Sequence, residues 1–120
     1  MSANDSLDLV IRNADVVTAS DRFRCDIGVR DGKIVTLGHG LPQGVREIDA
    51  HGLLALPGGV DGHCHLDQPM PEGMRMADDF FTGTRAAVCG GTTTVIPFAA
   101  QEKGGSLKAA VADYHRRAEG

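Results

Sequence analysis

After Pro57 the sequence settles into a strand–helix alternation, and that alternation restricts the fold more than any other feature of the chain. Gly59 to Leu66 reads as a strand fed by the apolar run Leu53, Leu54, Ala55, Leu56, Pro57. Ala77 to Cys89 reads as a helix: Asp78 and Asp79 suit its positive N-terminal end, and Phe80, Phe81, Thr84, Ala87 and Val88 fall on one face. Gly90-Gly91 stops it. Thr92 to Ala100, rich in Thr, Val and Ile, predicts a second strand. Ser106 is then placed to cap a second helix with Leu107, Ala110, Val111 and Tyr114 at helical spacing. A helix between two strands makes the crossover that parallel pairing requires, so the sheet here should be parallel.

Before Pro57 the pattern is β. Leu7, Leu9 and Ile11 alternate with polar residues, and Asn13-Ala14-Asp15 reads as a turn before Val16-Val17. Ile27 and Val29 on one side of Asp31-Gly32, with Ile34 and Leu37 on the other, predict a two-residue hairpin, because both central residues tolerate positive φ. Val45 to Ile48 is a further strand, ahead of His51-Gly52 and Leu53–Leu56. Short strands at this spacing predict part of a β-sandwich. The expected organisation is therefore residues 1–57 as the N-terminal portion of a β-sandwich domain and residues 58–120 as two βα units, an α/β fold.

Composition removes several functions. A chain of 120 residues with 42% hydrophobic and 23% charged residues is in the range of a soluble globular protein. A net charge of −4 and the absence of Trp argue against a nucleic-acid partner. No apolar run approaches the roughly 20 residues that cross a bilayer, and Met1-Ser2-Ala3-Asn4-Asp5 is no signal peptide. Cys25, Cys64 and Cys89 are odd in number and far apart, which fits a reduced, cytoplasmic setting.

The chemistry concentrates in Gly59-Val60-Asp61-Gly62-His63-Cys64-His65-Leu66-Asp67. In a strand, Asp61, His63, His65 and Asp67 share one face while Cys64 and Leu66 take the other. Two imidazoles on one face can converge on one cation, so His63 and His65 are the candidate metal ligands. Asp61 and Asp67 are candidates for supporting the site or lining its substrate pocket. Cys64, on the opposite face, reads as a packed thiol, and His39, His51 and His115 as solvated or hydrogen-bonded side chains. Gly90-Gly91 closes a helix instead of opening one, so it is no phosphate loop.

Three stretches carry a family resemblance: His63-Cys64-His65-Leu66-Asp67-Gln68-Pro69, Ala77-Asp78-Asp79-Phe80-Phe81-Thr82-Gly83-Thr84-Arg85-Ala86-Ala87, and Gly90-Gly91-Thr92-Thr93-Thr94-Val95-Ile96. With Leu56-Pro57-Gly58-Gly59 ahead of them, they resemble the amidohydrolase superfamily, and within it the hydantoinases and dihydropyrimidinases. The resemblance implies the start of a (β/α)8 TIM-type barrel preceded by part of a small β-sandwich domain. It implies two divalent metal ions, with His63 and His65 on the more buried one. Zinc is the default for imidazole ligands, and manganese or cobalt is compatible. A carbamylated lysine bridging the metals, two more histidines and a catalytic aspartate would all lie beyond Gly120, and neither Lys103 nor Lys108 matches that lysine. No catalytic residue is therefore expected in this chain.

The implied reaction is hydrolysis of a cyclic amide in hydantoin or dihydropyrimidine rings, giving N-carbamoyl amino acids. The implied enzyme is a homotetramer, and its substrate a small neutral cyclic ureide. Dihydroorotases carry an arginine two residues after the second histidine to receive the substrate carboxylate. Asp67 in that place would repel one, which favours an uncharged ring. Allantoinase and dihydroorotase are the alternative activities. A non-catalytic assembly protein of the dihydropyrimidinase-related kind, or a small binding domain complete in itself, are the alternatives from other classes. Two βα units leave strand edges and helix faces uncovered, so the chain is expected to be the N-terminal piece of a longer enzyme. Alone it should be inactive and poorly soluble or partly unfolded.

Overall fold

The computed structural model describes residues 6–119; the polar N-terminus read above as lacking a signal peptide, and Gly120, lie outside the described residues. The chain divides into two compact units, with the division between Pro57 and Gly58.

The first unit holds a five-stranded sheet of β1 (Leu7–Val17), β2 (Arg22–Arg30), β3 (Lys33–Gly38), β4 (Gly44–Asp49) and the short β5 (Leu54–Ala55). The order is β3-β2-β1-β4, with β5 also on β1. The predicted hairpin is present: Arg30 faces Lys33, and Asp31 and Gly32 take φ of 50° and 70°. One expectation fails here. Asn13-Ala14-Asp15 is not a turn but part of a single long strand. Ile11 pairs with Ile27 and Ala14 with Cys25, so two residues of β1 oppose one of β2, and Asn13 in the bulge has φ of 58°. The strands of this unit form one mixed sheet, with β4 and β5 parallel to β1, as a part of the expected β-sandwich.

Burial follows from this topology. β1 is paired along both edges, and Leu7, Val10, Ala14 and Val16 are its buried residues, while Leu9 and Ile11 are half-buried on a central strand. Ala14 and Val16 pack with Cys25, Ile27 and Ala50 into one apolar cluster. Beside it lies the buried carboxylate Asp26, opposite the bulge. It accepts hydrogen bonds from the Asn13 amide (3.0 Å), the Leu41 amide (3.3 Å) and the Arg12 guanidinium (3.2 Å). The Asn13 amide above all, then the Leu41 amide and Arg12, hold its pKa below the ordinary carboxylate value against the opposing effect of burial.

The second unit is β6 (Gly59–Cys64), α1 (Phe80–Cys89), β7 (Thr92–Pro97) and α2 (Leu107–Ala118), with β6 and β7 paired in parallel as the alternation predicts. Both strands stop earlier than the sequence suggests, β6 at Cys64 instead of Leu66 and β7 at Pro97 instead of Ala100. Helix α1 starts three residues after Ala77, because Asp79 caps it. Asp79 Oδ1 accepts from the Thr82 amide (2.7 Å) and Thr82 Oγ1 accepts from the Asp79 amide (3.1 Å). These bonds from Thr82 draw the Asp79 carboxyl below its ordinary pKa. The expected apolar face also differs: Phe80, Gly83 and Ala87 are the half-buried positions, whereas Phe81 and Val88 are exposed. In α2, Ser106 caps as expected, and Tyr114 is buried beside Phe80 in an edge-to-face contact.

Candidate metal centre

His63 and His65 sit at and just beyond the C-terminal end of β6, where strand pairing releases the chain. Asp61 Oδ1 accepts from the His63 amide (3.1 Å), so this carboxylate orients the backbone that carries the first imidazole. The two imidazole centroids are 5.3 Å apart with planes at 52°. A tetrahedral zinc bound at about 2.0–2.1 Å by two imidazole nitrogens would hold the ring centres about 5 Å apart, so the spacing suits two ligands of one cation. Among the described residues no group of three or more His, Cys, Asp or Glu side chains is gathered closely enough to hold a metal ion. The pair is thus a partial donor set, with further ligands needed to complete a site.

Two residues that the sequence did not single out support the pair. Phe98, just past the end of β7, lies against both rings, 5.3 Å from His63 at an 18° tilt and 5.5 Å from His65 at 38°. Its amide donates to the Cys64 carbonyl (2.8 Å), which ties it to the strand bearing the histidines. Gln68 Oε1 lies 2.7 Å from His65 Nδ1. Neither belongs to an HxH spacing rule. Only the parallel pairing of β6 with β7, and a turn after His65, bring them in.

That turn overturns the expectation for Asp67. The strand has already ended, and Asp67 takes φ of 45°, so it does not continue the face of His63 and His65. Its amide donates to the Asp78 carbonyl (3.1 Å), while Arg117 Nη1 donates to both its carbonyl and its Oδ2 at 3.4 Å. Arg117 is itself held by Asp113, whose carboxyl it keeps below the ordinary pKa. Asp67 thus turns toward Arg117, which partly offsets its charge while also pairing with Asp113, instead of continuing the face of the two imidazoles.

Leu66 anchors the same turn. It is buried, and a Cβ on Gly83 of α1 would come within 2.4 Å of its Cδ2. Glycine inside a helix costs about 1 kcal/mol relative to alanine, and here it makes room for that leucine. Cys64 is half-buried, and burial raises its thiol pKa, which suits the packed thiol expected of it. His39, His51 and His115 are exposed. A groove of about 750 Å³ lies among Phe80, Val95, Val111, Tyr114 and Arg117, and it includes neither His63 nor His65.

The chain is similar in sequence and fold to known proteins. Residues 1–54 match the sequence profile of the urease alpha-subunit N-terminal domain. The chain is 45% identical over 112 residues to D-hydantoinase of Geobacillus stearothermophilus, covering 92% of this chain and 24% of that protein. It is 43% identical over 105 residues to dihydropyrimidinase of Rattus norvegicus, covering 82% of this chain and 20% of the relative. The crystal structure of D-hydantoinase from Bacillus sp. AR9 superposes with a TM-score of 0.84 at 47% identity, over 91% of this chain and 24% of that one. The chain therefore spans about a fifth to a quarter of the length of these relatives. Its mixed α/β architecture matches that of the D-hydantoinase structure, and the chain is consistent with an N-terminal fragment of the amidohydrolase family, similar over most of its length to hydantoinases and dihydropyrimidinases.

Proposed function

We propose that this chain is the N-terminal part of a metal-dependent cyclic amidase that opens hydantoin or dihydropyrimidine rings to N-carbamoyl amino acids. The observation that carries the reading is the pair of imidazoles at the carboxyl end of β6, 5.3 Å apart, in a parallel βα unit. On this reading residues 58–120 are the first two βα units of a (β/α)8 barrel, and residues 1–57 the N-terminal portion of a β-sandwich domain that precedes it in the chain. Catalytic groups of such barrels gather at the carboxyl ends of the strands, where His63 and His65 lie.

His63 and His65 would hold one divalent cation, zinc by ligand type, and a second cation would need donors from outside the described residues. When bound, such a pair supplies a hydroxide at neutral pH and polarises the ring carbonyl. This chain's own part is to aim the two imidazoles: Asp61 fixes the backbone at His63, and Phe98 closes one side of both rings. The substrate is a small cyclic ureide. With Asp67 turned toward Arg117, the preference for a neutral ring rests on the hydantoinase and dihydropyrimidinase relatives alone. The three free thiols fit a cytoplasmic protein, and a homotetramer is part of the same proposal through family resemblance.

The test is metal content and ring opening in the complete protein. His63→Ala should lose bound metal and activity on hydantoin and dihydrouracil together. Unchanged metal content in that variant would sink the ligand assignment. Retained metal without turnover of either ring in the unsubstituted protein would favour the non-catalytic, dihydropyrimidinase-related alternative.

A further inference from the structure

We infer that Gln68 is a positioning residue that selects which nitrogen of His65 faces the cation. A glutamine carbonyl oxygen only accepts, so Oε1 at 2.7 Å from Nδ1 requires that Nδ1 carry the proton. The lone pair of the neutral ring then resides on Nε2, and His65 binds through Nε2. This inference rests on the proposal that His65 is a ligand, and it adds the group that prepares it.

The backbone explains how Gln68 reaches the ring. In a continuing strand a residue three positions on would lie about 10 Å away on the opposite face. The chain instead turns at Asp67, with φ of 45°, and the turn is held by the Asp67 amide on the Asp78 carbonyl and by Arg117 on the Asp67 carbonyl. Leu66, buried against Gly83, fixes the residue between His65 and that turn. Phe98 packs on both imidazoles and leaves ring rotation of His65 opposed on that side. The half-buried Gln68 is thus delivered to Nδ1 by a turn with three separate attachments.

The test uses the complete protein with Gln68→Met, which keeps the length and removes the acceptor, and Gln68→Glu, which keeps the acceptor. In metal-free protein labelled with ¹⁵N histidine, above pH 8, His65 should show the Nδ1–H tautomer. Gln68→Met should shift it away from that tautomer, and Gln68→Glu should restore it. Zinc affinity, read by chelator competition, should fall about 10- to 100-fold in Gln68→Met and recover in Gln68→Glu. An Nε2–H tautomer in the unsubstituted protein, or unmoved affinity in Gln68→Met, would overturn the inference. Because the tautomer is read without metal, that failure is distinct from failure of the ligand assignment, which His65→Ala with unchanged metal content would reveal.

Discussion

The two units of this chain are stabilised in different ways. The first has an interior: Val10 and Ala14 are fully buried, Val16, Cys25, Ile27 and Ala50 pack beside them, and a buried carboxylate pins the bulge. The second has Leu66 and Tyr114 as its buried apolar residues among those described, and α1 has none. Its elements are held instead by end-specific hydrogen bonds: the Asp79–Thr82 capping box, the Ser106 cap, and Arg117 on the Asp67 turn. Phe81, Val88, Ile96, Leu107 and Val111 remain exposed on it. The difference teaches that the histidine pair lies on a scaffold whose local geometry is specified before its packing is. Exposed apolar surface of this kind is characteristic of interaction faces.

Hydrogen exchange offers the widest separation between the units. Amides of β1 and β2 should exchange about ten- to hundredfold more slowly than those of α1 and β7 in this 120-residue chain, because local opening is cheapest where little is buried. Equal protection in both units would break the comparison.

A smaller effect tests the interior of the first unit. Asp26→Ala leaves the Asn13 and Leu41 amides and Arg12 without their acceptor, and should cost about 2–3 kcal/mol in denaturant unfolding. The pH dependence has a definite sign. Asp26 binds its proton less readily folded than unfolded, so its stabilisation is complete above the ordinary carboxylate range, about pH 4, and is lost as pH falls through the lowered folded-state value. The first unit should therefore lose stability on acidification, and Asp26→Ala should flatten that loss. A variant with the same acid sensitivity would remove Asp26 as its source.

The smallest effect sharpens the description of the second unit. Gly83→Val places a branched side chain where Leu66 packs, and should cost about 1–2 kcal/mol and speed exchange of the 66–68 amides. If those amides stay as they were, Leu66 does not anchor the turn through α1.

The Asp31-Gly32 hairpin, the βαβα order, the Ser106 cap and the two histidines at a strand end were legible because each is a local matter. Turn chemistry, hydrophobic period and side-chain alternation act over a few residues, so the amino acids involved announce them. The amidohydrolase relationship was legible for the same reason, since its motifs are contiguous. The Asn13 bulge was not, because it depends on Asp26 arriving on the neighbouring strand to satisfy the freed amide. The parallel placement of β4 and β5 on β1 was not, because strand order is set by long-range pairing.

The same division runs through the site. Strand alternation in the sequence predicted that His63 and His65 would lie together, and their rings are 5.3 Å apart although His65 falls just past the end of β6. Tertiary structure decided the rest. It ended β6 at Cys64 and sent Asp67 to Arg117, 50 positions away in the chain. It brought Phe98 onto both rings by pairing β7 beside β6, and turned Gln68 back onto Nδ1. A ligand's presence is written in local spacing, but its orientation and tautomer depend on groups that only the folded chain brings within hydrogen-bond reach.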